Sequence, residues 1–211
     1  MKNSVKICGI KSTQHIEICA TAGADYVGFV NFVKSPRHLE LAEIAPLIKF
    51  AKPLLNSVVL KVNPSYDDMW DVARLEPDYI QLHGDETPLF CQDIKATTNL
   101  KVIKAISVET MDDIVTARAY EDIVDILLFD TKSPKDALLP GGNGQTFDWA
   151  LLSKQSFNCQ TMLAGGLNHD NVQLAMKQSG INQVDVSTEV EITRGVKDPA
   201  LIEQFISSAK E

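Results

Sequence analysis

The chain has 211 residues, 45% of them hydrophobic and 23% charged, with a formal net charge of −8. That is enough apolar material for one sizeable core, and an acidic balance with no Lys/Arg cluster argues against a nucleic-acid partner. No run reaches roughly 18 apolar residues and the N-terminus lacks a stretch of signal-peptide length, so a soluble, cytoplasmic protein without a membrane partner is expected.

A strand-helix rhythm runs from end to end. SVKIC (4–8) is a short β-branched run closed by Gly9. Ser12 or Thr13 then starts a helix over Thr13–Ala22, with Ile16, Cys19 and Ala20 near one face and Gly23 as its stop. Further strand-like runs follow at 26–30, 57–62, 79–83, 101–106, 125–130, 160–165 and 183–187. Asn168 or Asp170 introduces a helix over 171–179, facing inward with Val172, Ala175 and Met176. Asp198-Pro199 opens the last helix, marked by Leu201, Ile202, Phe205 and Ile206.

Eight strands alternating with about eight helices imply a parallel sheet, because parallel neighbours need crossover connections. The natural closure is an α/β fold: a single domain over 1–211 forming an eightfold β/α (TIM) barrel, at the small end of its roughly 200–400 residue range. An open doubly wound sheet is the competitor, but CGIKS after the first strand is not the GxGxxG fingerprint that such folds often carry. In a barrel the active site lies at the C-terminal strand ends. Those ends carry Cys8, Asn63, His83 with Asp85, Asp130, Gly165 with Gly166, and Asp185 with Ser187.

These residues suggest a chemistry. The four cysteines, Cys8, Cys19, Cys91 and Cys159, contain no CxxC pair, and the four histidines show no metal-type spacing, so neither a zinc site nor a disulfide framework is expected. Cys8 and Asp130, on strands one and six, would flank a ligand as base and acid. Lys6, two positions before Cys8, would supply positive charge on the same face. The loops after strands seven and eight suit a phosphate: Gly165 and Gly166 permit close backbone approach, while Ser187 and Thr188 add hydroxyls. The glycine-rich loop 139–149, with Gly142 and Gly144, could fold over a ligand. Arg37 could grip a carboxylate bidentately. His83 could donate to a ligand or rest against Asp85.

VKICGI (5–10), GADYVGFV (23–30), KSPRHL (34–39), QLHGDE (81–86), LLFDTK (127–132), GGNGQTFDW (141–149), LAGGLN (163–168), VDVS (184–187) and GVKDP (195–199) together resemble the phosphoribosylanthranilate isomerase family of tryptophan biosynthesis. The resemblance implies the Amadori rearrangement of N-(5′-phosphoribosyl)anthranilate to the corresponding ribulose ketosamine. It implies Cys8 as general base, Asp130 as general acid, Arg37 on the anthranilate carboxylate and Asp185 on the sugar hydroxyls. His83 joins the substrate-binding set, and Gly142, Gly144, Gly165, Gly166, Ser187 and Thr188 the phosphate-binding set. The ligand is a small phosphosugar, no metal or organic cofactor is implied, and the chain would act as a monomer or homodimer.

The sequence departs from the family pattern in two places. VDVSTEVE replaces the usual VDVSSGVE, so Glu189 adds a negative charge beside the phosphate; its side chain is expected to turn to solvent or to pair with Arg194 or Lys197. LKVN replaces an apolar run at the end of strand three, and Lys61 is expected to snorkel outward. Three rival readings stand beside the resemblance. A metal-dependent sugar-phosphate epimerase would want His and Asp ligands at several strand ends, where only His83 is a histidine. An indole-forming barrel would use strand-end lysines, and Lys104 and Lys132 are near such positions. A non-catalytic phosphosugar-binding paralogue would need neither Cys8 nor Asp130.

Overall fold

The computed structural model describes residues 3–132 and 146–211. Eight parallel strands close into a barrel in chain order: β1 (Ser4–Cys8), β2 (Tyr26–Val30), β3 (Asn56–Lys61), β4 (Tyr79–Leu82), β5 (Lys101–Val108), β6 (Ile126–Thr131), β7 (Gln160–Leu163) and β8 (Gln183–Val186). The seam between β8 and β1 is held in register by Lys6 opposite Asp185.

Because strand side chains alternate between faces, each strand supplies one set to the barrel interior and another to the surrounding helices. Tyr26, Val58, Tyr79, Ile103, Ile126, Leu128 and Met162 form the inner cluster. The same alternation directs Cys8, Gln81, His83, Asp130 and Asp185 inward at the mouth. The outward set, including Ile7, Val59, Val102 and Phe129, packs on α1 (Thr13–Ala22), α2 (Leu41–Ala51), α3 (Tyr66–Ala73), α4 (Pro88–Thr98), α5 (Met111–Ala117), α6 (Val172–Ser179) and α7 (Pro199–Lys210).

The helix boundaries follow local chemistry. Ser12 accepts from the His15 N–H at the start of α1, and Gly23 ends that helix with a left-handed φ of 93°. Asp198 caps α7 ahead of Pro199.

Two expectations need correction. The described residues contain seven α-helices rather than about eight: a single 3-10 turn, Trp149–Leu152, precedes β7, started by the Asp148 carboxylate on the Ala150 N–H. A small antiparallel hairpin, β9 (Glu191–Thr193) with β10 (Val196–Lys197), also follows β8. Its two short strands have no period long enough to be read from sequence. Gly195 turns the hairpin at φ 84°, and a Cβ there would stand 2.6 Å from the Pro36 carbonyl oxygen. The hairpin is therefore pressed against the loop that carries Arg37.

Outside the barrel, Lys104 fixes the end of β4. Its Nζ donates to the Gly84 carbonyl at 2.6 Å and to Glu86 Oε2 at 2.9 Å. Glu86 in turn accepts from the Asn63 and Gly84 N–H groups. The lysine and glutamate side chains are only 3% and 2% exposed, so removing one partner strands a buried charge. Lys104→Met should cost about 3–5 kcal/mol of stability in urea unfolding, and Lys104→Met with Glu86→Leu should regain most of it. A loss below about 1 kcal/mol for the single variant would show that the pair does not secure this turn.

Candidate active site

A cavity opens at the C-terminal strand ends, where the active sites of such barrels lie. Its two ends differ in character. Val30, Phe32, Leu60 and Val62 form an apolar wall beside Cys8. Gly165, Gly166, Ser187 and Thr188 line the polar end.

Cys8 is the last residue of β1 and is 4% exposed. A Cβ on the neighbouring Gly28 would lie 2.9 Å from the Cys8 sulfur and 3.3 Å from Lys6 Nζ, so the absent side chain leaves room for both groups. Lys6 is fully buried and donates to Asp185 Oδ1 at 2.9 Å. Burial alone would lower its pKa, but Asp185 and Cys8 outweigh that and hold it above the ordinary lysine value. Burial pushes the Cys8 thiol above its ordinary 9.0, partly opposed by the Lys6 ammonium.

Asp130 ends the inward row of β6. Its Oδ1 accepts from the Thr131 N–H at 2.8 Å, and its Oδ2 faces His83 Nε2 at 3.2 Å. His83 Nδ1 faces the Gln81 amide nitrogen at 2.8 Å. Of the two expectations for His83, contact with Asp85 fails: the histidine turns inward to Asp130 because period two on β4 carries Gln81 and His83 to the same face.

Arg37 lines the cavity, but its fork is already engaged. Its Nε and Nη2 donate to the two Glu191 oxygens at 2.8 Å each, and Nη2 also reaches Thr188 Oγ1 at 3.1 Å. Lys197 Nζ approaches the same carboxylate at 2.8 Å. Burial would raise the Glu191 pKa, yet Arg37 and Lys197 hold it below the ordinary glutamate value. Ser187 uses its hydroxyl to donate to the Cys8 carbonyl at 3.0 Å and takes Lys197 from the other side, so it ties the loop after β8 to β1. Gly165, at φ 85°, allows the loop after β7 to touch Thr131: a Cβ there would be 2.2 Å from Thr131 Oγ1.

Further expectations are corrected here. Glu189 stands half-buried at the cavity edge and, among the described residues, pairs with neither Arg194 nor Lys197, the latter being committed to Glu191, so of its two expected outcomes only the ion pair fails. Lys61 faces away from the barrel interior without reaching water; it binds Asn31 Oδ1 at 2.7 Å and Asp68 Oδ1 at 3.0 Å. Lys104 points outward and Lys132 pairs with Glu109 at 3.2 Å, so neither serves the cavity and the indole-forming reading loses its lysines. Gly142 and Gly144 lie outside the described residues. Among the described residues, no group of three or more His, Cys, Asp or Glu could hold a metal ion, and no helix is long and apolar enough to cross a membrane.

The residues that sequence reasoning missed are Gln81, Glu191 and Lys197. Only Gln81 carried a signal, as a polar residue on a strand's inward row two positions from His83.

The sequence model of the N-(5′-phosphoribosyl)anthranilate isomerase family matches residues 5–208. A relative so named from Parvibaculum lavamentivorans is 46% identical, with 100% of this chain and 99% of that one covered. Another from Rhizobium leguminosarum is 42% identical over 100% and 96% of the two chains. The crystal structure of phosphoribosyl anthranilate isomerase from Thermotoga maritima superposes with a TM-score of 0.88 at 34% identity, over 99% of this chain and 98% of that one. A structure of the enzyme in complex with reduced 1-(o-carboxyphenylamino)-1-deoxyribulose 5-phosphate gives 0.85 at 32% identity, with the same coverage.

The raised Cys8 pKa fixes a direction for its reactivity. Only the thiolate alkylates, so in the free protein the Cys8 rate with iodoacetamide, followed by peptide mass spectrometry, should still be climbing at pH 9.0. A plateau reached by pH 8 would show a thiol acidified by Lys6 instead.

Proposed function

The chain belongs to the N-(5′-phosphoribosyl)anthranilate isomerase family of tryptophan biosynthesis, and we propose that it performs the rearrangement with Cys8 as base and Asp130 as acid. The observation that carries this reading is the meeting of both groups in one cavity that is apolar at one end and rich in backbone and hydroxyl groups at the other. The substrate is likewise two-ended, an aromatic acid joined through a sugar to a phosphate. The aryl ring takes the Phe32 and Val62 wall, and the phosphate takes the loops of Gly165, Gly166, Ser187 and Thr188. Because the Ser187 hydroxyl is spent on Cys8, backbone N–H groups supply much of that phosphate grip.

The steps follow from the proton donors and acceptors. Asp130 gives its proton to the furanose ring oxygen as the C1–O bond breaks, and the nitrogen lone pair forms the C1=N bond of a protonated Schiff base. The Cys8 thiolate then removes the C2 proton. The C–H electrons form a C1=C2 bond and the C=N π pair returns to nitrogen, giving an enolamine that tautomerises to the ketone. Lys6, whose ammonium is shared between Cys8 and Asp185, favours the thiolate that takes up the C2 proton, and Asp185 Oδ2 serves the sugar hydroxyls. Arg37, braced by Glu191, offers its remaining nitrogen to the anthranilate carboxylate. His83 holds Asp130 in place.

The chain works as one barrel domain, 1–211, in the cytoplasm, as a monomer or homodimer. The non-catalytic alternative is disfavoured, since a module that only binds phosphosugars has no use for an acid and a base facing one cavity.

Loss of substrate fluorescence is the direct assay. Cys8→Ala and Asp130→Asn should each lower kcat by about 10²–10⁴, while affinity for the reduced product analogue changes far less. Unchanged kcat with a raised KM in Asp130→Asn would make that residue a binding group.

A further inference from the structure

Gln81 is fully buried on the inward row of β4 and lines the cavity. Its two polar atoms differ. The amide nitrogen is spent on His83 Nδ1 at 2.8 Å, but Oε1 has no hydrogen-bond partner among the described residues. The flanking strands cannot provide one, because the register sets Leu60 and Ile103 on either side of Gln81, and both are aliphatic. A buried amide oxygen left without a donor is unfavourable, and the remaining direction from which a donor can come is the cavity.

The pairing with His83 also restricts Gln81. With the amide N–H pointed at Nδ1, the imidazole proton sits on Nε2, where it donates to Asp130 Oδ2. That same pairing leaves Oε1 as the unpartnered end of the amide, and exchanging the two ends by rotation would release the histidine that steadies the acid. An acceptor is therefore fixed one side chain away from the group that protonates the ring oxygen.

We propose that Gln81 is a further catalytic residue: its Oε1 accepts the N–H of the substrate's anilino nitrogen. The inference rests on the isomerase reading above. As Asp130 breaks the C1–O bond, that nitrogen becomes a Schiff-base N–H bearing positive charge. A neutral amide oxygen binds a cationic donor more strongly than a neutral one, so the contact strengthens as the barrier is climbed and raises kcat rather than mere affinity. When Cys8 removes the C2 proton and the π pair returns to nitrogen, the donor is neutral again and the hold relaxes.

The experiment compares Gln81→Met and Gln81→Glu with the wild type, measuring kcat, KM and the affinity of the reduced product analogue, whose nitrogen is a neutral amine. Gln81→Met keeps the length of the side chain and loses the acceptor; its kcat should fall about ten- to hundredfold, the range expected for a hydrogen bond to a charged group. Its analogue affinity should stay within about threefold. Gln81→Glu keeps an oxygen at the end of the chain while losing the donor to His83, and it should retain kcat within about tenfold. Three results would overturn the assignment: a Gln81→Met kcat close to wild type, an analogue affinity that drops as far as kcat, or a Gln81→Glu enzyme as slow as Gln81→Met. The last would place the importance of Gln81 in its grip on His83. Should Gln81→Met not fold by circular dichroism, Gln81→Asn withdraws the oxygen by one methylene and is judged by the same kcat and affinity criteria. An inert wild type would overturn the isomerase reading itself and this inference with it, whereas an active wild type beside an equally active Gln81→Met overturns this inference alone.

Discussion

The contact on which the site depends is the buried ion pair between Lys6 and Asp185, 2.9 Å long and shut inside the barrel. It joins the first strand to the last, so it stands at the seam where the sheet closes on itself. Charges are tolerated there because each neutralises the other, and leaving either alone would be strongly destabilising. The pair also sets the local field. It puts a cation one strand period below the Cys8 sulfur, in a place too dry for the thiol to ionise unaided, and it keeps a carboxylate at the mouth in a fixed orientation.

A second network repeats this logic at the rim. Glu191 sits between Arg37 and Lys197, and Lys197 reaches on to Ser187, which reaches the Cys8 carbonyl. Loops after β2 and β8 and the β9–β10 hairpin are thereby coupled to the strand that carries the thiol. Arg37 is held in place before any ligand arrives, so little side-chain freedom remains to be lost on binding.

Much of this was legible in the sequence, for reasons that can be named. The strands showed because parallel barrel strands are buried on both faces and read as unbroken β-branched runs; β1 and β2 fall where their apolar runs fall. α1 showed because Ser12 and Gly23 bracket it. The inward placement of Cys8 and Asp130 followed from strand ends alone. What was hidden depends on pairings between distant parts of the chain. Nothing local to Glu191 says that it meets Arg37, 154 positions away. Lys197 was an available partner for Glu189 by proximity in sequence, and the tight β9–β10 turn gave it to Glu191 instead. His83 beside Asp85 was plausible along the chain and wrong across the barrel, where Asp130 faces it. An odd step along a strand reverses the face, so Lys61 turns outward as expected but is held by Asn31 and Asp68, and Lys104 belongs to the outer row and not to the cavity.

The Lys104–Glu86 clamp lies on that outer row, with the barrel wall between it and the ligand. It grips the backbone at Gly84 and the Asn63 N–H rather than any side chain in the cavity. Robustness and reactivity are thus kept on opposite faces of the barrel wall. A substitution on the inner row therefore need not loosen the turn that presents it. The wall of a barrel acts here as a firewall between the parts that must stay and the parts that can change.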